Sequence, residues 1–361
     1  MKKYNLIYIV LLLLLVAASA SFAEDWDIGG YIRSEIDYVM FKDAPRVAAL
    51  DKVRLRIARE IGDHLYIHTE LVYNRMDGSS LVTLPGYNSL DRCYAQIYFP
   101  MVDLTVGRQR IAWGTGYIWN PTDVFNPFSL TLSDEEREGI SAARAIVPLG
   151  AASYMEFVQT AQQNPANDKF AFKIKGNAGL FDFSSSFVKL NSAGDNQFGG
   201  DFVGELLTIG VKGEYINVFL NSGRQYSRYI LGADYTFETD VMLIGEYYFN
   251  GLGATNVSAY DWTSYLTGSI YQLARDYLYL GASRTYGDIY QIQLSYILNT
   301  NDGSFVIYPM WTWNVLNDLD FYLGALTMGG SSGTEYNPNS TQDPTGLLGN
   351  TYYFAKLRYS F

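Results

Sequence analysis

Apolar and polar residues alternate with period two along most of the chain, the mark of a strand with two unlike faces. Between 26 and 40, Ile28, Ile32, Ile36, Tyr38 and Met40 share one parity, and Asp27, Tyr31, Arg33, Glu35 and Asp37 the other. Lys52, Arg54 and Arg56 oppose Val53, Leu55 and Ile57, and His68, Glu70 and Asn74 oppose Leu65, Ile67, Leu71 and Tyr73. The alternation returns at 229–238, 241–250 and 290–298. Each run is about ten residues, the length that crosses a bilayer at a tilt. A soluble sandwich alternates too, but is interrupted less evenly.

The connections alternate in length. Short turns are expected at Gly62-Asp63, Pro100-Met101, Pro148-Leu149-Gly150, Asn177-Ala178-Gly179, Glu238-Thr239-Asp240 and Asn317-Asp318. Longer polar links are expected around 41–49, 76–88, 113–136, 191–204, 251–274 and 329–349, with a short helix inside 259–274. Outer-membrane barrels pair short periplasmic turns with long external loops. The pattern predicts an all-β fold, a transmembrane antiparallel up-and-down β-barrel of about 18 strands (about 16 to 20), an even number as single-chain bacterial barrels have. Tyr353, Ala355, Leu357, Tyr359 and Phe361 alternate to the last residue. In lipid every backbone N–H and C=O needs a partner, so such strands must close on themselves.

Composition narrows the class. Tyr occurs 31 times, Phe 20, Trp 6 and Gly 33, with only 17 % charged residues, as in a barrel with aromatic girdles. No stretch has the roughly 18 apolar residues of a spanning helix. Lys2 and Lys3, the apolar run Leu6 to Ala17 and the small residues Ser21 and Ala23 predict a secretory signal peptide over 1–23. The barrel is then a single domain, 24–361. A net charge of −11 argues against nucleic acid, which wants a basic face. The single Cys93 can form no internal disulfide.

The most distinctive segment is Gly107-Arg108-Gln109-Arg110-Ile111-Ala112-Trp113-Gly114, followed by Asn120-Pro121-Thr122-Asp123-Val124-Phe125-Asn126-Pro127. It is a strand entering a long loop, the third external one. Pro121 and Pro127 end the ladder and Asn120 and Asp123 can make side-chain turns. Over these 20 or so residues the chain resembles poorly characterised bacterial outer-membrane porin-like families with the signature Gly-Arg-Gln-x-Ile-x-Trp-Gly, then Asn-Pro-x-Asp-x-Phe-x-Pro. The resemblance implies an outer-membrane channel and carries over no substrate. By resemblance to general porins, the third loop folds inward and narrows the pore. A C-terminal Phe361 on an amphipathic strand resembles the signal read by the barrel-assembly machinery. Barrels of this size commonly form homotrimers, again by resemblance. The other expected partners are outer-membrane lipid and lipopolysaccharide.

A charge facing lipid at mid-bilayer costs about 2–4 kcal/mol, so strand arginines should face the lumen or lie near a headgroup. Pore-lining candidates are therefore Arg33, Glu35, Arg54, Arg56, Glu70, Arg108 and Arg110, and constriction-loop candidates are Asp123, Asp134, Glu135 and Glu136. An acidic loop facing an arginine wall would set a transverse field that selects charged solutes. The plainer alternative is that these arginines pair with Glu35, Asp37, Glu70 and the loop acids and hold the interior together. Leu104 and Val106 share the parity of Arg108 and Arg110. Either a bulge near Gly107 shifts the register, or these arginines sit at the rim.

Other chemistry is weakly supported. His64 and His68 are four apart on one strand, about 13 Å, too far to share a metal. A barrel hydrolase needs Ser, His and a carboxyl or amide converging at the rim. Neither an enzyme nor a cofactor is expected. The expected function is a porin-like channel for small hydrophilic solutes, anions among them. The alternatives are a non-channel surface barrel (adhesin or assembly protein), then a transporter of hydrophobic compounds or lipid.

Overall fold

The structure is a computed structural model and describes residues 26–41, 44–78, 87–125, 137–287, 289–343 and 351–361. The expected signal peptide lies outside the described residues. Eighteen strands follow one another: β1 (Asp27–Met40), β2 (Pro45–Ile61), β3 (Leu65–Gly78), β4 (Tyr87–Phe99), β5 (Val102–Gln109) and β6 (Ile140–Gly150). Then come β7 (Ser153–Thr160), β8 (Phe170–Ala178), β9 (Phe181–Lys189), β10 (Asn196–Leu206), β11 (Ile209–Phe219) and β12 (Gln225–Thr236). The last six are β13 (Val241–Asn250), β14 (Asp276–Tyr286), β15 (Tyr290–Asn299), β16 (Phe305–Leu316), β17 (Leu319–Gly329) and β18 (Thr351–Ser360).

Each strand pairs antiparallel with its neighbours in sequence, and β18 pairs with β1 from Tyr31↔Ser360 to Met40↔Thr351. Phe361 completes the seam: its N–H donates to Gly30 O at 3.0 Å and its carbonyl accepts from Gly30 N at 2.9 Å. Closure leaves no strand edge unpaired, as a sheet in lipid requires.

Burial is inverted relative to a soluble protein. Outward residues are apolar and exposed, such as Ile36 at 59 % and Leu231 at 56 %, while inward Glu156 and Glu246 are 1 % exposed. Only a hydrocarbon environment makes that distribution favourable, because it removes the outer face from water. The chain therefore folds as a membrane-spanning barrel, in which β1 begins and β18 ends at the rim that carries the short turns.

Two details depart from the expectation. The external links drawn at 41–49 and 191–204 are shorter, since β2 begins at Pro45 and β10 begins at Asn196. That strand carries Gly199, Gly200 and Gly204, which weaken the strand signal. Second, the β3–β4 ladder runs Glu70↔Arg92, then Leu71↔Leu90, leaving Asp91 as an extra residue. The bulge turns Asp91 inward beside Arg92, where strict alternation would send it to lipid. The long link at 251–274 is indeed a loop, with one short helix, α1 (Trp262–Leu266).

Candidate functional site

The lumen has two unlike halves. The inner faces of β1–β4 and β18 are charged. Arg54 is forked between Glu70 and Asp91, with Nη1 2.7 Å from Asp91 Oδ2. Arg92 Nη1 lies 3.2 Å from Glu70 Oε1, and His68 Nε2 lies 2.7 Å from the same oxygen. Arg33 Nε and Lys356 Nζ lie 3.5 and 3.7 Å from Glu35 Oε2. The Arg358 guanidinium stands over the Tyr31 ring at 4.4 Å. Lys52 and Asp37 share these inward faces. Arg54, Glu70 and Asp91 are almost fully buried, so charges removed from water are matched to one another, the condition under which buried ions are tolerated.

The opposite half is filled by external loops. The third loop (110–139) leaves β5, packs Ile111, Trp113 and Phe125 over small inward residues of β6–β9, and reaches β11–β14. Its irregular backbone has N–H groups with no ladder partner, and buried donors must be satisfied. Wall carboxylates satisfy them. Glu246 on β13 accepts from the N–H of Tyr117 (2.6 Å), Ile118 (3.1 Å) and Trp119 (3.1 Å). Glu214 on β11 accepts from the N–H of Thr115, of Gly116 at 2.9 Å and of Thr122 at 3.0 Å, and from the Thr122 hydroxyl at 2.7 Å. Trp113 Nε1–H donates to Glu156 on β7 at 3.2 Å, and the Tyr117 hydroxyl donates to Asp234 on β12.

Two glycines permit this approach. A Cβ on Gly116 would stand 1.8 Å from Trp119 O. Gly114 has φ 94°, and a Cβ there would meet Asn120 and Glu214 at 2.6 and 2.7 Å. The described part of the loop therefore lies across the interior as a strap held by carboxylates.

Two more loops close over this half. The loop 251–275 brings Leu273 and Ala274, and the loop from 330 brings Tyr336, into one buried cluster with Trp119, Tyr248 and Tyr277. Trp119 stacks on Tyr248 at 5.0 Å. Glu335 ties the loops together. Its carboxylate accepts from Leu273 N (3.0 Å), the Tyr277 hydroxyl (2.7 Å) and Asn299 Nδ2 (2.8 Å). Asp302, in the turn after β15, accepts from Glu335 N at 2.9 Å and the Tyr260 hydroxyl at 3.0 Å. Burial pushes the Glu335 carboxyl up to about 7, against the opposing effect of its hydrogen bonds.

Of the residues singled out from sequence, Arg33, Glu35, Arg54 and Glu70 line the inner wall, and each is ion-paired there. Arg56 is inward on β2 near the periplasmic end, half exposed, with Nη2 3.2 Å from Asp27. Arg108 is a correction. The β4–β5 register runs unbroken through Gly107, so Arg108 keeps the outward parity of Leu104 and Val106. It sits at the top of β5, where Nε–H donates to Asp91 O at 3.0 Å and Nη2 reaches Glu138 at 3.3 Å. Arg110 is exposed just past the strand end, and Arg108 does not line the lumen. Asp123 is buried, and its carboxylate is engaged within the loop, accepting from Phe125 N at 3.1 Å and pairing with Arg137 at 3.0 Å. Asp134, Glu135 and Glu136 lie outside the described residues.

Sequence reasoning missed Glu214 and Glu246 as anchors. Their inward parity was legible, but their partners are backbone amides about a hundred residues away. His64 and His68 form no site together: the Tyr66 hydroxyl lies 3.0 Å from His68 Nδ1, with Glu70 on the other nitrogen. Among the described residues no group of three His, Cys, Asp or Glu is placed to hold a metal.

No protein-family model matches the chain. No curated protein matches it either. Solved structures do. Outer membrane protein OprD from Pseudomonas aeruginosa is 11 % identical, with 94 % of each chain covered and a TM-score of 0.63. Pseudomonas aeruginosa OccK5 (OpdH) is 8 % identical over 94 % of this chain and 99 % of its own, with a TM-score of 0.65. A mutant of Rh. blastica porin is 11 % identical over 93 % and 100 %, with a TM-score of 0.53. At these identities the likeness is one of fold: the chain has the closed 18-stranded barrel that the OprD and Occ structures share with it.

Proposed function

We propose that the protein is a narrow outer-membrane channel for small hydrophilic solutes, with anions preferred. The carrying observation is the division of the lumen. Loops fill the β11–β16 side, and the charged wall of β1–β4 and β18 is the face along which a polar route would run. On that wall the cations Arg33, Arg46, Lys52, Arg54, Arg56, Arg92, Lys356 and Arg358 outnumber the carboxylates Asp27, Glu35, Asp37, Glu60, Glu70 and Asp91 by two. A locally basic route in a chain of net charge −11 favours anion entry through the local potential. Low exposure of these side chains supports a tight passage, selective rather than freely diffusive. The solved porin and OprD structures share the architecture, which suits the same use.

The third loop takes part as the strap that bounds this route, but not through Asp123, whose charge is internally engaged. Asp134, Glu135 and Glu136, outside the described residues, stay the candidates for an acidic stretch facing the arginine wall, on a loop whose described part is anchored on acidic wall residues. Lipopolysaccharide around the outer rim, the assembly machinery acting on the terminal strand, and a homotrimer remain part of the proposal. The dense packing also favours a second reading, a non-channel surface barrel with a closed lumen.

Planar bilayers separate the two. Purified barrel should give ohmic steps whose reversal potential under a KCl gradient shows anion preference. Lys52→Glu should move that potential toward cations. Folded barrel that gives no conductance sinks the channel reading and leaves the surface barrel.

A further inference from the structure

We infer that the short-turn rim from β4 to β11 is a lipid-inserted edge: the apolar tips of its turns seat in the acyl chains of the adjacent leaflet, while the rest of that rim stands in water. The turn chemistry is divided in this way. Met101 (77 % exposed), Leu180 (73 %) and Leu207 (87 %) are the tips of this sector, and Leu149 at the end of β6 is 52 % exposed. Turns elsewhere carry Gly62-Asp63, Glu238-Thr239-Asp240 and Asn317-Asp318. In the β10–β11 turn, Leu207 and Thr208 have φ of 62° and 119°, the region that Gly or Asn enters with least strain. An apolar side chain is kept there against the preference of its own backbone.

Wall height places the tips. Arg108 at the top of β5 and Lys189 at the top of β9 face outward, and a charge on the outer face belongs at headgroup level. The last outward strand residues below them are Val102 and Phe181, six and eight positions away. At about 3.3 Å per residue and a tilt of about 45°, these stretches rise about 14 and 19 Å, against an apolar band of about 25 Å. The band therefore continues about 6–11 Å past the ends of these strands, into the level of the turns.

The polar belt that would mark the lower boundary is missing in the same sector. Elsewhere the outer wall ends toward the short turns in anchors: Arg59 over the Trp26 ring at 5.1 Å, Arg284 over Tyr286 at 4.5 Å, and Trp311 stacked on Trp313. Such residues sit at the membrane–water interface. On β5–β10, between Arg108 or Lys189 and the short turns, no charged residue and no Tyr or Trp faces outward, and every outward aromatic is Phe.

Lipid is the occupant because the tips continue the outward wall that already meets acyl chains, with no polar belt between the two. The turns suit that depth. Pro100-Met101, Ala151-Ala152, Gly179-Leu180 and Leu207-Thr208 are each only two residues outside the ladder, so few backbone groups leave it unpaired. The inference rests on the membrane-spanning fold and not on conduction.

Single cysteines in the full chain carrying Cys93→Ser test it, in phosphatidylcholine nanodiscs, where both faces are open to reagents. Bimane on Leu180→Cys or Leu207→Cys should be quenched by lipid brominated along the acyl chain, and bimane on Asp240→Cys or Asn317→Cys should not. Seating one apolar tip favours the lipid-covered state by at least about tenfold, so a membrane-impermeant maleimide should label the first pair on the order of tenfold more slowly than the second. If the first pair fails to fold, Met101→Cys and Leu149→Cys take its place. Equal labelling at all sites puts the rim in water and overturns the inference. Slow labelling without quenching means that protein covers the tips, and overturns it too. Neither readout involves conduction, so its failure leaves the channel reading standing, and a folded barrel without conductance leaves this inference standing.

Discussion

Removing the Glu246 carboxylate isolates the anchoring of the third loop. In Glu246→Ala three backbone donors, the N–H groups of Tyr117, Ile118 and Trp119, lose their acceptor inside the barrel. A buried donor left unsatisfied costs about 1–3 kcal/mol, and hydrogen bonds to a charged group lie at the upper end. Water entering the vacated space recovers part of this, so a net loss of about 3 kcal/mol is expected for the docked loop. The barrel itself should remain closed, because its ladders are untouched. A loss of about 3 kcal/mol raises the open population by about two orders of magnitude. Hydrogen exchange read by mass spectrometry should show protection at 117–119 falling by about a hundredfold, with the β1–β18 seam unchanged. Glu214→Ala should instead expose the amides of 115, 116 and 122. Unchanged exchange at 117–119 in Glu246→Ala would refute the claim that this carboxylate holds the loop.

Three further outcomes follow from named contacts. Gly116→Ala should undock the same loop, since its Cβ would overlap Trp119 O, and protease cleavage within 110–125 should rise while the barrel stays heat-modifiable on gels. Arg54→Ala leaves the buried Glu70 and Asp91 to Arg92 alone, at 3.2 and 3.8 Å; a loss of about 3 kcal/mol, the low end for a broken buried pair, is expected, read as a lower urea midpoint, and an unchanged midpoint would show the network to be dispensable. For Glu335, a raised carboxyl means that its contribution to loop docking is complete below its ordinary value of 4.5 and is lost as pH rises through about 7. Exchange protection of Leu273, relative to its intrinsic exchange rate, should therefore fall as pH rises from about 4.5 to about 7 and level off above that, and Glu335→Gln should remove that pH dependence.

How much of this could be read in advance depends on the range of the interaction involved. The strand count, the facing of Arg33, Glu35, Arg54 and Glu70, the closing strand and the helix in 251–275 follow from local alternation and turn residues. A two-residue repeat records directly which side of a wall a residue occupies. It fails where the repeat breaks. Asp91 faces inward only because a bulge adds a residue, and nothing near it in sequence marks the bulge. Arg108 shows the reverse case: its parity with Val106 was visible, and an expectation of a pore-facing arginine ran against it.

The sequence by itself determined a closed, lipid-facing barrel with a charged interior, because membrane solvation acts on each strand separately and leaves its signature residue by residue. Only the tertiary structure decided what fills the interior. Glu214 and Glu246 meet amides roughly a hundred residues away, and Glu335 meets Leu273, Tyr277 and Asn299. Such pairings arise when closure of the ring brings β5, β11, β13 and the last external loop around one lumen, and no local pattern of the chain encodes that proximity.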